Sequence, residues 1–384
     1  MSGAASLRGA TALGASRHAT RVQFFCSGFL FATWGVHIPT IRALYGVTEA
    51  GLGVVMLAAG IGALLGLTQA GRLIARYGPR GVCRVCGVGM AGGISLLLMM
   101  PGLPALLVLL ALFGVVNGIF DVAINAEAAE LERAGERPLM SGMHGMFSTG
   151  GMAGAGLGGV LLAWPQWHLA LVAVVLAAAV LLAAHRMLVP LPTAADAPSA
   201  PGFVLPRGTL LVLGVFAGLG LIAEGAMYDW SVLYLQHELG SPQTEAAWAY
   251  ASFSAAMAAA RFGGDWLRAR VAPATLLRAS ALLAALAMVV VLVATAPWLA
   301  LVGFALAGIG FANVVPLLFT AASKVPGTSP AHAIAAVSSL GYLGFMGGPP
   351  IIGFVAQGTS LGAALWLVVV FAVVLAFGAR RALT

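Results

Sequence analysis

The chain has 384 residues, 61% of them hydrophobic and only 8% charged, with a mean hydropathy of +1.00. A water-soluble globule carries about 25% charged residues, so this chain could not cover such a surface. Disordered chains are polar and charge-rich, so disorder is excluded too. What remains is a polytopic integral membrane protein.

A membrane-spanning helix needs about 20 predominantly apolar residues. Long apolar runs fall at 20–41, 48–70, 83–100, 104–126, 139–163 and 167–188. A second set falls at 208–235, 244–262, 274–295, 298–320, 331–357 and 361–379. A β-barrel would instead show alternating segments of about ten residues. The runs predict an all-α integral membrane protein with twelve transmembrane helices. Residues 1–19 read as a cytoplasmic tail and 20–189 as an N-terminal six-helix bundle. Residues 190–207, rich in Pro, Ala, Asp and Ser, read as a central cytoplasmic linker, and 208–384 as a C-terminal six-helix bundle with a short tail. Arg8, Arg17 and Arg21 flank the first run with no clear cleavage site after it, which predicts a retained first helix rather than a signal peptide.

Orientation follows from the basic residues. With the N-terminus inside, all of the 19 Lys and Arg except Arg42 fall to the cytoplasm. Arg72, Arg76, Arg80 and Arg84 crowd the second–third connection, and Arg261, Arg268, Arg270 and Arg278 the eighth–ninth. Both termini are therefore expected in the cytoplasm, and the net charge of +7 reflects topology and anionic lipid rather than nucleic acid. The halves also repeat at an offset of about 192–194 residues. Gly71 maps to Gly264, Asp121 to Asn313, and Gly150, Gly154 and Gly159 to Gly344, Gly348 and Gly353. Equal polarity makes these parallel repeats, with a shared site expected between them near the midplane.

Gly71-Arg-Leu-Ile-Ala-Arg-Tyr-Gly-Pro-Arg80 resembles the signature loop of the major facilitator superfamily. The resemblance assigns Gly71, Arg72, Arg76, Gly78 and Arg80 to gating. Where that loop carries an Asp this chain has Ala75; Asp265 in the matching second-half loop is expected to stand in for it in part, and Asp265 and Arg268 join the gating set. Asp121-Val-Ala-Ile-Asn125, Met140-Ser-Gly-Met-His144 and Glu224-Gly-Ala-Met-Tyr-Asp-Trp230 are similar to an uncharacterised bacterial branch related to fucose permeases. The resemblance implies the major facilitator fold, with spans 1, 4, 7 and 10 lining a central cavity. Fucose-permease relatives carry an acid in the first span, and this chain has none there.

An ionisable group at bilayer depth is costly and is a functional candidate by default. Asp121 in the fourth span and Glu224 and Asp229 in the seventh are the acids in question, read here as having no Lys or Arg at comparable depth. His37, His144 and His332, each near a span end, are the alternative cationic partners. Burial disfavours the charged form of a carboxyl, so such groups can load and release a proton as exposure changes. They are the expected proton-coupling residues. Asn117, Asp121 and Asn125 recur every four residues and share a helix face. That row suits hydrogen bonding to a polar solute, or alternatively ties one helix to another. Trp34, His37, Tyr228 and Asn313 complete the expected substrate-binding set, with Trp34 able to stack on a ring or simply to pack between helices.

Gly150-Gly-Met-Ala-Gly-Ala-Gly-Leu-Gly158-Gly159 resembles the glycine motif of drug/proton antiporters with Ala155 in place of Pro, although such spacing chiefly lets helices pack closely. Gly87-Val-Gly-Met-Ala-Gly92 lies inside a span with no preceding strand and is no dinucleotide site. Cys83 and Cys86 form a lone CxxC without two further ligands at zinc spacing, so no metal site is expected, and with no phosphate loop, His-Glu-x-x-His or nucleophile elbow neither a cofactor nor enzymatic activity is expected. The sequence thus predicts a monomeric secondary transporter of the bacterial inner membrane. It would move a small polar organic solute, sugar-like or a related metabolite, by alternating access coupled to protons. The alternatives are a proton-antiporting drug or metabolite exporter, an uncoupled facilitator, and a non-transporting membrane protein on the same scaffold.

Overall fold

The computed structural model describes residues 2–135, 139–186 and 206–383. The linker read at 190–207 therefore lies outside the described residues except for its last two. Every regular element described is an α-helix: α1 (Ser2–Tyr45), α2 (Glu49–Ser95), α3 (Leu103–Gly135), α4 (Met140–Leu161), α5 (Pro165–Arg186) and α6 (Thr209–Glu238). Then follow α7 (Gln243–Arg268), α8 (Pro273–Val293), α9 (Pro297–Phe311), α10 (Val314–Ala322), α11 (Pro330–Gly358) and α12 (Leu361–Leu383).

Nine helical stretches among the described residues are long and apolar enough to cross a membrane. The 47-residue α2 counts once among them, as does 297–322, which holds α9 and α10. Helices α4 and α7 are not among the nine. Both are rich in Gly, Ala and Ser and pack on each other, so close contact rather than lipid-facing bulk shapes their composition.

Several boundaries differ from the sequence reading: α1 begins at Ser2, α3 runs on to Gly135 and α7 to Arg268, and two further differences change the element count. The expected second–third connection is helical: α2 runs through it and breaks only at Gly78, with φ 70° and ψ 160°. Pro79 then opens the second arm, where its missing N–H costs nothing. The tenth span, in turn, is split. Pro316 cannot donate to the Ala312 carbonyl four residues back, and its ring crowds that carbonyl, so the helix interrupts at Ala312–Asn313.

Lipid tails are as apolar as Leu, so helices in a bilayer associate through close packing rather than water exclusion. Gly28 of α1 is packed so tightly on α4 that a Cβ would run into the Phe147 carbonyl oxygen, and Gly150 of α4 meets Phe25 in the same way. In the second half a Cβ on Gly344 of α11 would lie 2.7 Å from the Gly218 Cα of α6. Gly150 and Gly344 are the positions the internal repeat aligns, so the same approach recurs in each half. One apolar core is built wholly from residues between Ala19 and Ala184. The other is built mainly from Leu210–Ala382, with Ala32, Val36 and Leu52 reaching in from the first half. The halves meet where α4 packs on α7, α2 on α11, and α1 on α6 and α7.

Candidate functional site

Glu224 sits near the middle of α6 and Arg261 in α7, and both are buried. Arg261 Nη2 donates to Glu224 Oε1 at 2.8 Å, and Arg261 Nη1 donates to Ser148 Oγ of α4 at 3.0 Å. This overturns the expectation that no Lys or Arg lies at the depth of the acids. Arg261 closes the eighth apolar run and so reads as part of the connection beyond it; the helix continues to Arg268 and turns Arg261 inward. It is the one buried Lys or Arg among the described residues. Ser141 of α4 also donates to the Arg261 carbonyl at 2.7 Å, so α4 grips this turn of α7 by side chain and backbone.

The other two acids also reach across the halves. Asp121 of α3 lies beside Tyr342 of α11, and Asp229 of α6 beside Trp34 of α1. Trp34 therefore faces a carboxyl here. Tyr228 joins the Glu224 cluster, with its hydroxyl 3.5 Å from Glu224 Oε1 and 3.3 Å from Met257 Sδ. Asn125 Nδ2 donates to Asp121 Oδ1 at 3.1 Å, so the amide–acid–amide row closes on itself at one end. At the other end the Asn117 Oδ1 is buried without a partner.

The remaining expected residues lie elsewhere. His37 is fully buried against His168 of α5, Nε2 to Nδ1 at 3.0 Å. Asn313 sits at the α9–α10 break and accepts from Arg268 Nη1 at 3.0 Å, while Arg268 also pairs with Asp265. Gly71, Arg72 and Arg76 are exposed on the first arm of α2 beside the break at Gly78, with Arg80 just beyond it. Neither the loop residues nor Asn313 is brought to the Glu224–Arg261 pair.

Sequence reading misses Arg261, Tyr250, Ser254, Tyr342 and His168. For the first three the signal is available: Tyr250, Ser254, Met257 and Arg261 recur at helical spacing and mark one face of α7. All four are buried. That face abuts the first half, because a Cβ on Gly35 of α1 would lie 2.7 Å from the Tyr250 ring and one on Gly151 of α4 would lie 3.1 Å from Ser254 Oγ. The Tyr250 and Ser254 hydroxyls have no hydrogen-bond partner.

At the end of the bundle holding Arg42, a second group of contacts bridges the halves. Gln243 Nε2 donates to the Val36 carbonyl at 2.7 Å and to Thr40 Oγ1 at 2.8 Å. Arg42 pairs with Glu49 at 2.6 Å and reaches His237 of α6 at 3.1 Å. Thr48 donates to Gln357 Oε1 of α11 at 2.9 Å. What the arrangement offers is a polar seam between two halves: three carboxyls and one guanidinium at its centre and a strap at one end.

The family model described as the Major Facilitator Superfamily matches residues 22–349 and 230–383. An uncharacterised MFS-type transporter of Yersinia pestis is 35% identical over 364 residues, 94% of each chain. Among solved structures, a nucleoside transporter superposes with a TM-score of 0.71 at 15% identity, covering 97% of this chain and 98% of its own. The Escherichia coli fucose:proton symporter does so with a TM-score of 0.65 at 18% identity, covering 95% and 98%. At these identities the likeness to the two structures is one of fold.

Proposed function

Because this chain belongs to the Major Facilitator Superfamily of membrane transporters, which are not enzymes, we propose that it is a secondary active transporter of the bacterial inner membrane, coupled to protons. In this reading twelve transmembrane helices form bundles 20–189 and 208–384 joined by the 190–207 linker, with both termini cytoplasmic. The twelve are the nine stretches above with α2 divided at Gly78 and with α4 and α7 added. The Arg42 end faces outward, because the other basic residues then face the anionic inner leaflet. The protein works as a monomer on a small polar organic solute, with no cofactor.

The observation that carries this reading is that all three acids, Asp121, Glu224 and Asp229, sit at the seam between the halves. Asp121 and Asp229 lie beside Tyr342 and Trp34 of the opposite half, and Glu224 connects through Arg261 to Ser148. When the halves rock, those partners are exchanged for water or solute. An acid whose partner leaves changes its proton occupancy, and that couples proton binding to the orientation of the site. Asn117 and Asn125 flank Asp121 as solute ligands, with Tyr228 beside Glu224 and Trp34 beside Asp229, while His37 and Asn313 stand apart on His168 and Arg268. The signature-loop residues Gly71, Arg72, Arg76, Gly78 and Arg80, with Asp265 and Arg268, form the cytoplasmic gate. The fold shared with a fucose:proton symporter supports the proton as driving ion.

The test is proton flux into proteoliposomes loaded with a pH dye, against a panel of sugars, sugar acids, amino acids and cationic drugs. A solute-triggered proton signal is expected, lost in at least one of Asp121→Asn, Glu224→Gln and Asp229→Asn. Solute movement without a proton signal would instead mark an uncoupled facilitator, and a signal of opposite sign an antiporting exporter.

A further inference from the structure

The Glu224–Arg261 pair can be opened in only one chemical sense. A carboxylate that loses its cation can neutralise itself by binding a proton, whereas a guanidinium stays charged and needs another anion. A cationic or neutral solute that displaced Arg261 from Glu224 would strand the arginine's charge at bilayer depth. An anionic solute that displaced Glu224 strands nothing, provided Glu224 then takes a proton. The pair is also held by one guanidinium nitrogen on one carboxylate oxygen, with the second nitrogen on the Ser148 hydroxyl rather than closing a two-pronged fork. Along the same face of α7, at the seam with α1 and α4, the fully buried Tyr250 and Ser254 hydroxyls have no partner. Two hydroxyls without partners, about two and three turns along the face that carries the guanidinium, add polar donors to the same stretch of the seam.

We propose that the transported solute is a small organic anion whose carboxylate replaces Glu224 on Arg261, and that the released Glu224 carries the coupled proton. The inference rests on the reading of the chain as a proton-coupled transporter and adds the class of solute. The charges balance. Arg261 exchanges one carboxylate for another, one O–H bond forms on Glu224 with a proton from the side the solute came from, and the loaded site has the net charge of the empty one. The other titratable groups facing the pair are His144 of α4, Tyr228 of α6 and Tyr250 of α7.

The test uses full-length protein in proteoliposomes with matched neutral and acidic solutes: glucose with glucuronate, galactose with galacturonate, and glycerol with lactate. Uptake of at least one acid, with proton entry and without uptake of its neutral partner, is expected. Arg261→Gln should weaken that uptake about ten- to a hundredfold, the range of one lost charged hydrogen bond. Glu224→Gln should retain exchange of the labelled acid while losing its accumulation by a pH gradient. Since Arg261→Gln leaves Glu224 unpaired and is prone to misfold, the double variant Arg261→Gln/Glu224→Gln, which keeps the shape of the pair without its charges, is measured beside it and should fold but not take up the acid. Proton-coupled uptake of a neutral solute that survives Arg261→Gln would overturn the anion assignment and leave the transporter reading standing. Uptake of none of the six, with no proton signal from any, would count against both.

Discussion

Arg261 Nη2 stands 2.8 Å from Glu224 Oε1, and the same guanidinium reaches Ser148 on a helix of the other half. The only buried Lys or Arg among the described residues is thus both the counter-ion of a buried acid and a tie between the halves. Removing one member of such a pair leaves the other charge without compensation. Arg261→Ala should therefore cost about 3–5 kcal/mol, read as a lowered melting temperature in detergent. Replacing both, as Arg261→Met/Glu224→Leu, should restore most of that loss because no charge remains in the core. A single variant as stable as wild type would show that water reaches the pair.

The signature segment makes a sharper contrast between two glycines. Gly78 has φ 70° and ψ 160°, a conformation a side chain strongly disfavours, whereas Gly71 is helical and has only open space within 4 Å of where a Cβ would sit. Gly78→Ala should lose about 1–3 kcal/mol and Gly71→Ala should gain about 0.5–1 kcal/mol, compared by thermal melting of the two purified variants. Equal effects would mean that the break in α2 is not fixed by its backbone.

Gln243 makes two hydrogen bonds to α1 at the Arg42 end, to the Val36 carbonyl and to Thr40. Gln243→Ala removes both and, at about 1 kcal/mol each, should shift the balance toward opening at this end by about fivefold per bond. The measurement is labelling of Val36→Cys, which keeps the backbone carbonyl and Thr40, by a membrane-impermeant maleimide, and it should speed up in the Gln243→Ala background. Unchanged labelling would show that these bonds do not hold this end shut.

Much of the fold was legible because bilayer chemistry writes it into the sequence in long, unalternated apolar runs. The glycine spacing that aligns Gly150 with Gly344 likewise foretold the two equivalent close approaches. The interruptions were less legible. Gly71–Arg80 is basic and reads as a connection, yet Arg, Leu, Ile and Ala are good helix formers, and a single Gly-Pro pair was enough for the break. Of the site, Asp121, Glu224 and Asp229 were found by the cost of burying an acid. Their partners were not, because Tyr342, Trp34 and Ser148 come from the opposite half and pairing across halves leaves no periodicity in either. Arg261 was misplaced for a related reason: charge near the end of a run counts as topology until the helix is seen to continue past it.

In the proposed mechanism solute crosses by movement of the two halves about this seam. Thr48 and Gln357 face each other across it at the Arg42 end, 2.9 Å apart, and the native Cys26, Cys83 and Cys86 are buried. The most direct measurement is uptake, in proteoliposomes, of the solute found by the proton-flux panel, by Thr48→Cys/Gln357→Cys before and after cross-linking. The cross-link should stop uptake and reduction should restore it. Uptake at the uncross-linked rate with the two halves tied together would contradict movement about the seam.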